Sequence, residues 1–85
     1  MTIEELASDY IRKTERVFEE LKKIEGSGSP EPDRTREVVE EARRYLQDAK
    51  YYLEQRRFET SLASIAYCEG LLDALRMLGF AEFSW

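Results

Sequence analysis

Apolar positions recur with helical period in three separate runs of this chain. In the first they fall at Ile3, Ala7, Tyr10, Val17, Leu21 and Ile24, with Thr14 filling the remaining gap. The steps alternate between four and three, which is the seam of a helix packed on other helices. Leu6 and Phe18 widen the stripe. Thr2 stands at the cap position with Glu5 three residues on, the arrangement of a capping box. In the second run Val38, Val39, Ala42, Tyr45, Leu46, Ala49, Tyr52 and Leu53 lie within one broad face at about 100° per residue. Glu37, Glu40, Glu41, Arg44, Gln47 and Asp48 take the other side, and Glu40 is spaced to pair with Arg44. Asp33, just after Pro32, is a suitable cap. The third run is apolar nearly all round, with Ile65, Tyr67, Cys68, Leu71, Leu72, Leu75 and Leu78 in a wide face. A helix of that kind is normally central, covered by its neighbours.

The breaks between the runs differ in character. Residues 25–33 read EGSGSPEPD, and two glycines, two serines and two prolines do not continue a helix. Near Arg56 to Glu59 there is no Gly or Pro, only a phase change, because the apolar face of the second run stops at Leu53. After Leu78, Gly79 is the natural left-handed terminator. The tail 80–85 then holds three aromatics, Phe80, Phe83 and Trp85. The pattern predicts helices over about 3–24, 34–55 and 59–78, a linker over 25–33 and a tail over 80–85. That is one all-α domain, a three-helix bundle running up, down and up. No period of 20–50 residues repeats, so the chain is not a solenoid.

Charge narrows the partners. The net charge of −5 argues against a nucleic-acid backbone or an anionic membrane as the main partner. Residues 1–58 carry 14 acids and 12 bases, whereas residues 59–85 carry four acids and one base, so the last third is expected to be the most buried. The N-terminal nine residues have three acids and no apolar run, unlike a signal peptide, and no stretch approaches a membrane span of about 20 apolar residues. A lone cysteine, Cys68, forms no internal disulfide and reads as a buried thiol in a reducing, cytoplasmic setting.

Candidate chemistry is sparse. With no histidine, neither a Ser–His nor a Cys–His pair is available, and the commonest metal ligand is missing. The GSG at 26–28 precedes prolines and is no phosphate loop. The expectation is therefore no catalytic residues, no cofactor and no metal. Glu69, Asp73 and Arg76 share one face of the third helix. Two carboxylates there suit a divalent ion or a shared proton; the simpler reading is an Asp73–Arg76 pair at a solvated edge. The same face holds Leu62, Ala66, Gly70 and Met77, with Ala63 and Ala74 at its border. A mid-helix glycine costs about 1 kcal/mol against alanine, which points to close packing at Gly70. Three occupants suit that face: the tail folding back, a second copy of the protein as a homodimer, or another protein. Arg36, Arg43, Lys50 and Arg57 form a basic stripe at seven-residue spacing. It reads either as a weak phosphate contact or as long side chains covering the core and pairing with acids of the first helix. Tyr51 points away from the core and would serve as a binding anchor or as an ordinary surface residue.

The run Ala42–Trp85 resembles the archaeal domain-of-unknown-function family 357. The resemblance lies in YL-x-DA-x-YYLE at Tyr45–Glu54, SLA-x-IAY-x-EGLLDALR at Ser61–Arg76, Leu78-Gly79, and F-x-W at Phe83–Trp85. It covers about half the chain; the first helix matches only in general character. It implies a small helical protein with no established activity, and an association of related domains with nucleotidyltransferase-like domains. The helical hairpin also resembles HEPN domains, whose ribonuclease members require an Arg and a His close together, which this chain does not have. It is similar as well to one tetratricopeptide-like helix pair without the repeats. The leading expectation is a non-enzymatic protein-interaction or scaffold module, and the alternative is an accessory domain in nucleotide or RNA handling.

Overall fold

At the N-terminus, Glu5 N–H donates to Thr2 Oγ1 and Thr2 N–H donates to Glu5 Oε1, both at 3.1 Å. This reciprocal capping box closes two of the donors that the first turn leaves open. The computed structural model describes residues 1–25 and 33–85, without the side chains of 22–25 and 33. Its elements are α1 (Ile3–Glu25), α2 (Asp33–Glu54) and α3 (Phe58–Met77), with no strand among the described residues. Most of the expected linker, and the expected roles of the Ile24 and Asp33 side chains, lie outside the described residues.

The molecule measures 39 × 20 × 20 Å. The 23 residues of α1 span about 35 Å at 1.5 Å each, so the helices lie side by side along the long axis. Cross-helix partners fix their directions. Ser61 meets Ala49 and Tyr67 meets Tyr45, so α2 and α3 are antiparallel. Glu15 meets Lys50 and Phe18 meets Arg43, so α1 runs against α2. The result is the expected three-helix bundle, up, down and up.

The core is one seam from each helix. From α1 it takes Ala7, Ile11, Thr14, Val17, Phe18 and Leu21; from α2 Val39, Ala42, Leu46 and Ala49; from α3 Ile65, Cys68, Leu72 and Leu75. Ile11 is buried although it lies outside the expected stripe, because α1 sits in the groove between two helices and needs a wider apolar face than a two-helix seam. Buried polar groups are satisfied locally. Thr14 Oγ1 donates to the Tyr10 carbonyl at 2.8 Å, and Ser61 Oγ donates to the Ala49 carbonyl at 2.7 Å. No buried side-chain N or O among the described residues lacks a partner.

The expectation that the last third would be the most buried needs correction. Tyr67, Met77, Leu78 and Phe80 are all more than half exposed. α3 has neighbours on only two sides, so the apolar residues on its third side stay in water. The expected Glu40–Arg44 pair is also replaced: Arg43 reaches Glu40 and Arg44 reaches Glu41, both one residue closer along the helix.

Both described C-termini end in the same backbone motif. At α3, Phe80 N–H bonds the Leu75 carbonyl and Gly79 N–H bonds that of Arg76, with Gly79 at φ 82°. At α2, Arg57 N–H bonds the Tyr52 carbonyl and Arg56 N–H bonds that of Leu53. Arg56 occupies the left-handed position there, at φ 61°. The break predicted near residues 56–59 is thus a Schellman turn with arginine where glycine is usual. A side chain in that conformation costs about 1 kcal/mol. Arg56→Gly is expected to stabilise the fold by up to about 1 kcal/mol, net of the added freedom of glycine in the unfolded chain, as read by urea denaturation. A loss of stability would mean that the Arg56 guanidinium, stacked over Phe58, contributes more than the strain costs.

Candidate functional site

Beyond Gly79 the chain turns back along the groove between α1 and α3. Residues Ala81, Phe83 and Trp85 are half-buried, whereas Phe80, Glu82 and Ser84 are exposed. This alternation is that of an extended segment with one side packed. Phe83 and Trp85 meet edge to face, 5.0 Å between ring centroids.

Three side chains of α1 and α3 hold Trp85. Its indole N–H donates to Asp73 Oδ1 at 3.1 Å. Arg16 Nη2 donates to its main-chain carbonyl at 2.6 Å. Lys13 Nζ lies 5.3 Å from the indole centroid and 4.4 Å from that of Tyr10, and pairs with Glu69 at 3.2 Å. Around the indole is an open depression of about 300 Å³ lined by Lys13, Glu69, Gly70, Asp73 and Trp85.

The predicted acidic pair is therefore split between two partners. Asp73 accepts from Arg76 Nη2 at 2.6 Å and Arg76 Nε at 3.0 Å, while Glu69 turns to Lys13 on α1. Arg76 first, and the Trp85 indole second, hold the Asp73 carboxyl below its ordinary value of 3.8. Among the described residues no group of three or more His, Cys, Asp or Glu side chains is placed to hold a metal ion. Burial, with Glu69 adding to it, pushes the Cys68 thiol up to about 12, which leaves it un-ionised at neutral pH.

Of the rest of the predicted face, Leu62 is half-buried and packs on the core, whereas Ala66, Gly70, Arg76 and Met77 are exposed. Close packing is not the reason for Gly70: a Cβ built there meets nothing within 4 Å. The tail covers the α1 side of the face around Gly70 and Asp73 and leaves the outward side open. The basic stripe is largely engaged. Arg43 stacks over Phe18, Lys50 pairs with Glu15 at 2.8 Å, and Arg57 stacks over Tyr52; Arg36 is exposed. Tyr51 is exposed, as its phase requires, and meets Tyr52 edge to face. The residues that sequence reasoning missed are Lys13 and Arg16. The only advance signal was their position one helical turn apart on the edge of the α1 stripe.

A family model described as "Protein of unknown function (DUF357)" matches residues 9–81. The match takes in most of α1, beyond the resemblance seen over Ala42–Trp85, and stops short of Phe83 and Trp85. No curated protein and no solved structure matches the chain. No helix among the described residues is long and apolar enough to cross a membrane.

Two expected outcomes follow from the site's geometry. Gly70→Ala is expected to stabilise the fold by about 0.5–1 kcal/mol in chemical denaturation, since the methyl meets no obstacle in mid-helix. The second concerns pH. Because the Asp73 carboxyl is lowered in the folded state, its contribution to tail docking is complete above its ordinary value and is lost as pH falls through the lowered one. Trp85 is the sole tryptophan, so its emission should shift to the red in that acid range, before helical circular dichroism is lost. Asp73→Asn should show a weakened form of the shift already at neutral pH.

Proposed function

The chain belongs to the DUF357 family of proteins of unknown function, and from that starting point we propose that it is a cytoplasmic, non-enzymatic protein-interaction module whose binding face is the outward side of α3. One observation carries the reading. Ala63, Ala66, Gly70, Ala74 and Met77 are all exposed, at steps of three and four, with Glu69, Asp73 and Arg76 along the edge of the stripe. A helix that is apolar all round is normally covered all round, and α3 is covered by α2 on one side and by α1 with the tail on another. Small residues along the open side allow another backbone to approach closely.

The available chemistry supports the same reading. Glu69 and Asp73 are each committed to a basic side chain, and the single thiol is buried and un-ionised. A lone unoxidised cysteine suits a reducing compartment. The alternative is an accessory domain for nucleotidyltransferase or RNA-handling proteins. It would act through the basic stripe, and three of those four side chains are already engaged within the molecule. A salt-dependent mobility shift with RNA at low salt would favour it.

Ala66→Arg tests the main reading. Placing a guanidinium on an exposed helical alanine is expected to leave stability within about 0.5 kcal/mol, and to abolish any concentration-dependent rise in mass seen for wild type by light scattering. A clearly lowered melting temperature would show that the face is covered within the monomer, and the reading would fail.

A further inference from the structure

The groove between α1 and α3 is occupied by residues that belong to the same chain only because the backbone reverses at Gly79. We propose that this groove is also the docking site for the tail of a second copy, giving a homodimer in which residues 80–85 are exchanged and each protomer supplies Trp85 to its partner's groove. The proposal rests on the α1–α3 groove and the end of α3, which meet the outward stripe of α3 at Gly70 and Met77.

Three observations carry it. The first is direction. The tail runs back from Gly79 to Asp73 and Glu69, antiparallel to α3. If two molecules meet end to end at the C-termini of their α3 helices, the onward direction of one α3 is antiparallel to the other. A tail that simply continues forward then enters the second groove in the orientation it already has in the first. Every contact of the docked tail is reproduced: Asp73 to the indole N–H, Arg16 to the Trp85 carbonyl, and Lys13 over the ring.

The second is the hinge. Reversal of the chain depends on one left-handed residue, Gly79 at φ 82°, with nothing within 4 Å of the place its Cβ would take. Straightening that residue opens the closed form without disturbing the bundle. The third is the surface at the hinge. Met77 is 75%, Leu78 68% and Phe80 52% exposed, an apolar patch at the end of the helix where the two molecules would meet. Exchange leaves the tail contacts unchanged and adds burial of this patch, which is the term that favours the dimer over two closed monomers.

The test uses Trp85 as sole tryptophan. Trp85→Ala keeps an intact groove and has no tryptophan; Asp73→Lys keeps the tail and loses the acceptor of its own groove. Circular dichroism first establishes that both are helical. In an equimolar mixture the tryptophan of Asp73→Lys is expected to shift to the blue relative to that variant alone, with a species of twice the 10.0 kDa chain mass appearing in light scattering. Gly79→Ala, which strains only the closed turn, should raise the dimer fraction of the otherwise intact chain, by about fivefold or more per hinge in the equilibrium. A mixture that emits as Asp73→Lys does alone overturns the proposal. So does a dimer that forms equally well with Trp85→Ala, since association would then use another face. Ala66→Arg leaves the tail and its groove partners in place, so failure of the stripe reading and failure of this one are told apart.

Discussion

The burial of Ser61, Ile65, Cys68, Leu72 and Leu75 on one line of α3 is the constraint on which the other elements depend. A chain of this size has surface enough to bury only one seam per helix, and the seam of α3 is the one that both other helices share. Alanines at 42 and 49 on α2 let the two backbones approach, and the Ser61 hydroxyl bonds the Ala49 carbonyl in the gap that remains. That bond pins the register of the hairpin close to its turn. With α2 and α3 fixed, the groove left for α1 has a set width, and Ile11, Val17 and Phe18 fill it. The tail settles on the α1–α3 side.

How much of this could be read beforehand depended on how local each interaction is. The capping box at Thr2 and Glu5, the glycine terminator at 79 and the Asp73–Arg76 pair each involve residues within four positions, and the sequence announces them. The helical seams were legible in their spacing. What escaped was set by tertiary geometry. Ile11 is buried because α1 faces two partners and not one. Arg56 takes a left-handed conformation with no compositional sign, because the short α2–α3 turn demands it. A mid-helix glycine suggests a close contact, but Gly70 is open to solvent. Glu69 turned to Lys13 across the helix boundary, and Trp85 found Asp73 twelve residues back, neither of which any periodicity within one element reveals. The family resemblance was visible from the second half of the chain alone, because that half contains the hairpin with its denser pattern.

The charged groups near the tail fix its position. Asp73 accepts three hydrogen bonds from two side chains, and Lys13 is shared between a carboxylate and two aromatic rings. Together these contacts hold the segment in place. The same logic applies to Arg43, Lys50 and Arg57, whose stems lie along apolar surface while their heads find a ring or a carboxylate. Beside these engaged groups, Met77, Leu78 and Phe80 at the end of α3 present apolar surface that is more than half exposed.

The alternation of packed and open positions along the tail has a consequence for its length. Residues 81, 83 and 85 face the groove and 80, 82 and 84 face water, so inward and outward are odd and even. Inserting or removing a single residue between Gly79 and Trp85 would exchange the two sets, presenting Glu82 or Ser84 to a groove shaped for rings and sending an aromatic into solvent. Changing the length by two restores the parity and only slides the indole along the groove. The bundle beneath counts in turns of 3.6 residues, but its last segment counts in pairs, and sequence variation in the tail is expected to obey that even-numbered rule.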